Sequence, residues 1–347
     1  MSNFRRRLMM NRGEPIPQWF KDSLVCWYDP SKQGLTNDKI EKGKPFLLKD
    51  FSKNHLDMTM HNFDGKGMSG MDGYAIDYNT LHTNVAHIGI AENIDNKTFH
   101  ISLVKQRDIV IFYRGSKAFD KIPSHRVEVS GLKEGERIAY YYRVKDGASE
   151  FVIGSNGIYT LPKSEAAEQE NSYIYVGFTG KFTGVCDITV KQLPLYEGAL
   201  VFDGIDDYGI SEHQPILTDY TVIAKRKQLE ARGAIAGKYL DKVSLGAFIF
   251  EWGTHTTYNF GKSIEIAIKT NLISVQTKYM YNGTSIEIGS SYDISLLSLG
   301  SASVEGYSCS SMALYQFLLF NRTLTQDEIN WVKIHIMKEP LPEPIKE

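Results

Sequence analysis

Asp203, Asp206 and Asp207 stand close together in the run Ala199-Leu-Val-Phe-Asp-Gly-Ile-Asp-Asp-Tyr-Gly-Ile-Ser211. Carboxylates at this spacing can gather a hard cation or brace a tight turn. Asp203-Gly204 is a turn dipeptide, and Asp206 and Asp207 are placed to accept from the turn's own amides. A Ca²⁺ loop needs a ladder of hard oxygen ligands, and no D-x-D-x-D run follows. The spacing therefore predicts an acidic turn, with no metal and no cofactor. Glycoside cleavage needs two carboxyl groups facing one bond. The E-x-D-x-x-E or E-x-D-x-E strand that would aim them into one cleft does not occur, and Glu265 and Glu287 read as solvent-facing charges. Among nine histidines there is no H-E-x-x-H, and His82 and His87 lack further ligands for a metal. No phosphate-cradling G-x-x-x-x-G-K-[ST] is present. The expectation is a protein without catalytic residues.

The residues suited to binding are aromatic. Tyr239, Trp252, Tyr258, Tyr279 and Tyr281 fall in the second half of the chain. Flat aromatic faces stack on sugars and other amphipathic ligands, although the same rings also fill cores. A second candidate is the start of the chain. Phe4, Arg5, Arg6, Arg7 and Leu8 combine basic and apolar groups, followed by Met9, Met10 and Arg12. Pro15 and Pro17 separate this stretch from the first strand. Residues 1–20 are expected to form an arm that anchors the protein on a partner. The arginines would meet carboxylates while Phe4 and Leu8 fill a pocket.

The totals narrow the classes further. The chain has 347 residues, 42% hydrophobic and 23% charged, with a formal net charge of -2. That balance supports a real core and gives no pull toward nucleic acid. No apolar run reaches the length of a membrane span. The basic N-terminus is followed by Asn11-Arg-Gly-Glu14 and not by an apolar stretch, so no secretory signal is expected. Cys26, Cys186 and Cys309 are odd in number and widely spaced, which fits buried free thiols.

The elements that must position these residues are mostly strands. Ile264, Ile266 and Ile268 alternate with Ser263, Glu265 and Ala267. Ile138, Tyr140, Tyr142 and Val144 share one face of Arg137–Lys145. The run from Ile273 to Tyr281 alternates throughout, and Asn282-Gly283 after it is a hairpin turn. Further strands are expected at Phe99–Val104, Asp108–Tyr113, Arg126–Val129, Tyr173–Phe178 and Asp187–Gln192. One helix is expected: Thr325-Gln-Asp-Glu328 is a capping box, and Ile329, Val332 and Ile336 recur at helical spacing.

Two stretches carry a resemblance. The F-D-G-I-D-D-Y run around Asp203 and the run from Ala313 to Ile329, with Phe320-Asn321-Arg322 and Leu324-Thr325, are similar to the laminin-G-like, concanavalin A-like jelly-roll family. Leu24-Val-Cys-Trp-Tyr-Asp-Pro30 resembles the family's opening strand. Asp50-Phe-Ser-Lys-Asn-His55 resembles its D-x-S-x-N-x-H element. The resemblance implies an all-β jelly-roll sandwich closed by one short C-terminal helix. The long gap before Val201 implies an insertion. Residues 21–79 and 198–338 would form the discontinuous jelly roll and 80–197 an inserted small β-sandwich. Residues 339–347 would be a loose tail. The whole chain also resembles structural proteins of Bacteroides phages and prophages. That likeness implies a non-enzymatic virion protein, a head or tail fibre, appendage or decoration protein. It would bind other virion proteins through its arm, associate with copies of itself and meet host-surface glycans. A stand-alone carbohydrate-binding lectin and a glycan-cleaving enzyme are the other readings.

Overall fold

The computed structural model describes residues 15–78, 82–84, 89–103, 112–114, 123–144, 147–163, 173–178, 186–213, 220–229, 232–239, 247–252, 255–257, 263–265, 273–277, 280–281, 284–285, 296–301 and 309–338. The protein is all-β, with short helices near each end of the described chain. It divides into two compact units, residues 1–65 with 198–347, and residues 66–197. The division falls at Lys66, fourteen residues before the boundary expected at residue 80. The reason is packing: Ile76 and Tyr78 are buried in one core with Phe99, Val127, Ile138 and Ile188.

In the first unit, the central strand is Ser311–Phe320. Thr221–Gln228 runs antiparallel along its whole length. Its other side is shared end to end by Leu24–Tyr28, opposite Phe317 to Phe320, and by Leu200–Asp203, opposite Ser311 to Leu314. Met312 to Leu314 and Phe317 to Phe320 are all buried, so both ends of the strand are apolar without alternation, and only half-buried Tyr315 and Gln316 interrupt the run. One face carries Leu318 and Phe320, which pack with Ile329, Val332 and Ile336 of the C-terminal helix. On the other face, Phe317 stacks on Tyr28, 6.1 Å between ring centres. Covering both faces removes the polar positions that a half-exposed strand would have.

A second sheet of this unit runs Phe46–Leu48, Met58–His61, Tyr208–Ser211, Leu296–Leu299, Arg232–Tyr239, Ala247–Trp252, His255–Thr257 and Ser263–Glu265. Phe202 of the first sheet meets Phe63, just past Met58–His61, at 5.1 Å. Gly209 lies so close to Met58 and Met60 that a Cβ there would sit 2.7 and 2.5 Å from their sulfurs.

The capping box forms as read. Thr325 Oγ1 accepts from the Glu328 amide at 3.3 Å, and Glu328 Oε2 accepts from the Thr325 amide at 2.9 Å. The α-helix spans Gln326–Trp331 and widens into a π turn over Val332–Ile336. It is not the only helix. Gln18–Ser23 is helical, and Phe20 is buried against Phe320 and Trp27. The end of the expected arm therefore belongs to the fold. A proline blocks a helix that precedes it but suits the start of the next, and Pro17 stands at this helix's N-cap. Residues 1–14, with Phe4, Arg5, Arg6, Arg7 and Leu8, and residues 339–347 lie outside the described residues.

One strand expectation fails. The alternating run from Ile273 to Tyr281 is not continuous: Ile273–Thr277 folds back on Met280–Tyr281, with Gln276 opposite Tyr281. Alternation says which residues share a face but cannot tell one strand from two that pair with each other. Met280–Tyr281 pairs in turn with Thr284–Ser285 across Asn282-Gly283, where the hairpin is expected.

The unit of residues 66–197 has two five-stranded sheets. One runs Gly147–Ile153, Glu136–Val144, Tyr173–Phe178, Phe112–Arg114, His82–Asn84. The other runs Gly157–Leu161, His125–Ser130, Cys186–Gln192, Thr98–Leu103, Gly89–Asp95. Ile138, Tyr140 and Ile153 of the first share a core with Phe99, Val127, Leu161 and Val190 of the second. The two ends of the segment are tied together, with the amides of Leu195 and Tyr196 donating to the carbonyls of Gly73 and Asp72 at 3.0 and 2.7 Å. Among the described residues, no helix is long and apolar enough to cross a membrane.

Candidate functional site

The acidic turn is the described cluster with the most chemistry. Leu200–Asp203 belongs to the first sheet of its unit and Tyr208–Ser211 to the second. The turn thus carries the chain from one sheet to the other. Gly204 has φ +80, and a Cβ there would lie 2.8 Å from that of Ser311. Only glycine meets both demands without strain.

The carboxylates have separate tasks. Asp203 Oδ1 accepts from the amide of Ile205 at 2.7 Å and more weakly from that of Asp206 at 3.4 Å. Asp207, fully buried, accepts from the Asp203 amide at 2.9 Å. Asp206 lies on the surface, and its own carbonyl accepts from Asn62 Nδ2 at 3.0 Å. Asp203 and Asp207 therefore brace the turn; the sequence assigns that work to Asp206 and Asp207. Asp203 reaches the amide two residues further on, the local bond that an aspartate opening a turn makes.

Oxygens of all three aspartates lie within 4.8 Å of one another. Partial burial, then the neighbouring Asp203 and Asp64, push the Asp206 carboxyl up, against a smaller opposing pull from Lys42. Lys42 is itself paired with Asp64 at 2.9 Å. Ca²⁺ takes about six to eight oxygens. Of the three carboxylates, Asp203 and Asp207 already receive backbone amides, which leaves Asp206 as the one facing solvent without such a bond. The turn's flank is aromatic, with His61 stacked on Tyr208 at 4.8 Å across neighbouring strands. Burial pushes the His61 imidazole down. Ile205, 72% exposed, stands at the tip. Nearby, burial lifts the Cys309 thiol to about 11, which keeps it an inert thiol.

The second motif, Asp50 to His55, is a clamp. Asp50 Oδ1 accepts from the amides of Trp27 and Ser52 at 2.8 and 2.7 Å. Its Oδ2 accepts from the Ser52 hydroxyl at 2.6 Å and the Leu56 amide at 2.8 Å. Asn54 Nδ2 donates to the carbonyls of Leu24 and Val25. Asp, Ser and Asn at alternate positions thus lock a loop onto the opening strand. From the turn after this strand, Lys32 Nζ sits 3.5 Å over the Trp27 ring and 4.6 Å over that of Phe51. Burial pushes the Lys32 amine down, with Asp29 opposing. Sequence reasoning missed Lys32, Lys42, Asn62 and Asp64, because nothing in their spacing links them to the turn or the ring.

Backbone register separates the aromatic candidates. Trp252 pairs with Arg232 and Tyr239 with Leu296, so they sit at opposite ends of Arg232–Tyr239. Seven residues at about 3.3 Å put roughly 23 Å between those positions. Tyr281 belongs to the other sheet. Tyr258 and Tyr279 lie outside the described residues, as does His87.

No protein-family model matches the chain, and no curated protein does. Among solved structures, the chain is similar to a sialidase of Trypanosoma rangeli in complex with the inhibitor DANA. Identity is 7% and the TM-score 0.26, over 83% of this chain and 68% of that one. It is also similar to a β-porphyranase of glycoside hydrolase family 86 from Bacteroides plebeius. There identity is 10% and the TM-score 0.14, over 71% of this chain and 37% of that one. Likenesses this distant carry no argument about activity.

Proposed function

We propose that this chain is a non-enzymatic structural protein of a phage particle, a head or tail fibre, appendage or decoration protein. In this reading residues 15–65 and 198–338 are a laminin-G-like jelly roll that meets host-surface glycans. The protein is made in the host cytoplasm, works on the virion and associates with copies of itself. Its N-terminal arm, with Phe4, Arg5, Arg6, Arg7 and Leu8, attaches it to other virion proteins.

One observation carries most of the support. Three of the four stretches that resemble the family lie far apart in sequence, yet Leu24–Tyr28 and Leu200–Asp203 flank the same side of Ser311–Phe320. A chance likeness in three short motifs gives no reason for them to become antiparallel neighbours. A division of labour among the acidic residues is further support, since Asp50, Asp203 and Asp207 are engaged with backbone amides and not held ready for proton transfer.

Mass spectrometry of purified particles from cells carrying the gene tests the reading. The chain should co-purify with the capsid and tail proteins at a fixed stoichiometry. Absence from particles, or release of reducing ends from host polysaccharides lost on changing one carboxylate, overturns it.

A further inference from the structure

His125 opens the strand His125–Ser130, whose residues alternate between buried and exposed, with His125, Val127 and Val129 inward. The residue is 2% exposed. Its Nδ1 lies 3.0 Å from the carbonyl oxygen of Pro123. A carbonyl only accepts, so Nδ1 carries the hydrogen, and Nε2 of the neutral ring holds a lone pair. That Nε2 is buried and, among the described residues, has no hydrogen-bond partner. A proton arriving from solvent at Nε2 would create a buried N–H⁺ with nothing to receive it, which folded proteins do not tolerate without rearranging.

The surroundings offer no relief among the described residues. Across the ladder His125 faces Leu161. The charged residues of the bonded strands, Arg126, Glu128, Asp187 and Lys191, occupy exposed positions. His100 lies on that outer side against Asp187. The buried titratable groups of this unit are Tyr74, Tyr78, Tyr140, Cys186 and Glu136. Glu136 receives the Lys133 amide and acts on Cys186, beyond the Ser130 end of the strand. Five residues at about 3.3 Å place that end roughly 17 Å from His125.

We propose that His125 is an acid-sensing latch, whose protonation at Nε2 opens the unit of residues 66–197 at mildly acidic pH. Burial pushes this imidazole down from its ordinary value, partly offset by the bond to Pro123. The open form therefore binds the proton more readily than the closed form. Stability is complete above the ordinary imidazole range near pH 6.5 and falls as pH drops below it. The opening constant should rise about tenfold per pH unit until the folded-state value is reached.

Hydrogen–deuterium exchange of the full chain between pH 7.5 and 5.0, corrected for intrinsic amide rates, tests this. Peptides containing residues 125–130 and 157–161 should lose protection on acidification, while peptides from 311–337 keep theirs. His125→Leu should flatten the pH response. Imidazole C2 exchange on the wild-type chain, which needs no variant, should place His125 below the ordinary value. An ordinary or raised His125 value, equal opening of both units, or an unchanged response in the leucine variant would overturn the latch.

Discussion

Gln192 makes with Ile76 the two hydrogen bonds that a neighbouring strand would make. Its Oε1 accepts from the Ile76 amide at 3.0 Å and its Nε2 donates to the Ile76 carbonyl at 2.7 Å. Two further carboxamides do the same. Asn156 pairs with both backbone groups of Leu132, and Gln33 bonds the Leu47 carbonyl and the Lys49 amide. A side-chain amide is a detached peptide group, so it satisfies backbone where no strand reaches.

Gln192 is 1% exposed, which makes this clamp sensitive. Gln192→Leu leaves two buried backbone groups bare, at about 1–3 kcal/mol each. Gln192→Glu should fare little better, because a carboxylate cannot donate to the Ile76 carbonyl. Denaturant unfolding should show the loss. Exchange should localise it to residues 66–197, and loss spread equally over 311–337 would contradict the assignment.

Thr325→Ala removes the cap of the C-terminal helix and should cost about 1 kcal/mol. Glu328, besides closing the capping box, holds Arg322 through two bonds of 2.9 and 2.6 Å. The Arg322 bonds come first in holding its carboxyl below the ordinary value. The stabilisation is present above about pH 4.3 and fades as pH falls through the folded value. Glu328→Gln should reduce acid sensitivity in that window, read as the change in melting temperature between pH 5 and pH 3.

Two glycines should respond differently to alanine. Gly300 has φ +76, and a Cβ there would run into the Phe202 ring. Gly34 has φ +68 but open space around it. Gly34→Ala should cost about 1 kcal/mol, the left-handed conformation alone, while Gly300→Ala should cost several times that through displaced core packing. Equal losses in chemical denaturation would mean that Phe202 yields freely.

Millimolar Ca²⁺ should leave the melting temperature unchanged, because Asp203 and Asp207 are engaged within the turn. A ligand at one hundred times its dissociation constant stabilises by about 2.7 kcal/mol. A Ca²⁺-dependent rise of several degrees, abolished by Asp206→Asn, would establish a site.

Truncation should show where the fold begins. Deleting residues 2–12 should preserve thermal stability and, on the proposed function, abolish incorporation into particles. Deleting residues 2–20 removes Trp19 and Phe20, which pack on Trp331 and Phe320, and should lower the melting temperature markedly. Particle content and melting curves of the two truncations separate anchoring from folding.

Local features follow from the residues and their spacing. Thr325 and Glu328 are three residues apart, and their mutual bonds follow from that spacing on a helix. The alternation from His125 to Ser130 follows from a period of two, whatever the strand pairs with. Gly204 is legible because Asp-Gly marks a turn. The partners depend on how distant segments pack. Gln192 and Ile76 are separated by 116 residues, and no local preference encodes a bond between segments that far apart. His125 reads as one more strand residue until burial removes the water that would have met its Nε2. Pro17 looks like a barrier in sequence, yet it starts a helix, because Phe20 finds Phe320 at 5.6 Å. Local geometry is set by each residue's own backbone and neighbours. Pairing, burial and unsatisfied polar atoms depend on which distant segments share a core.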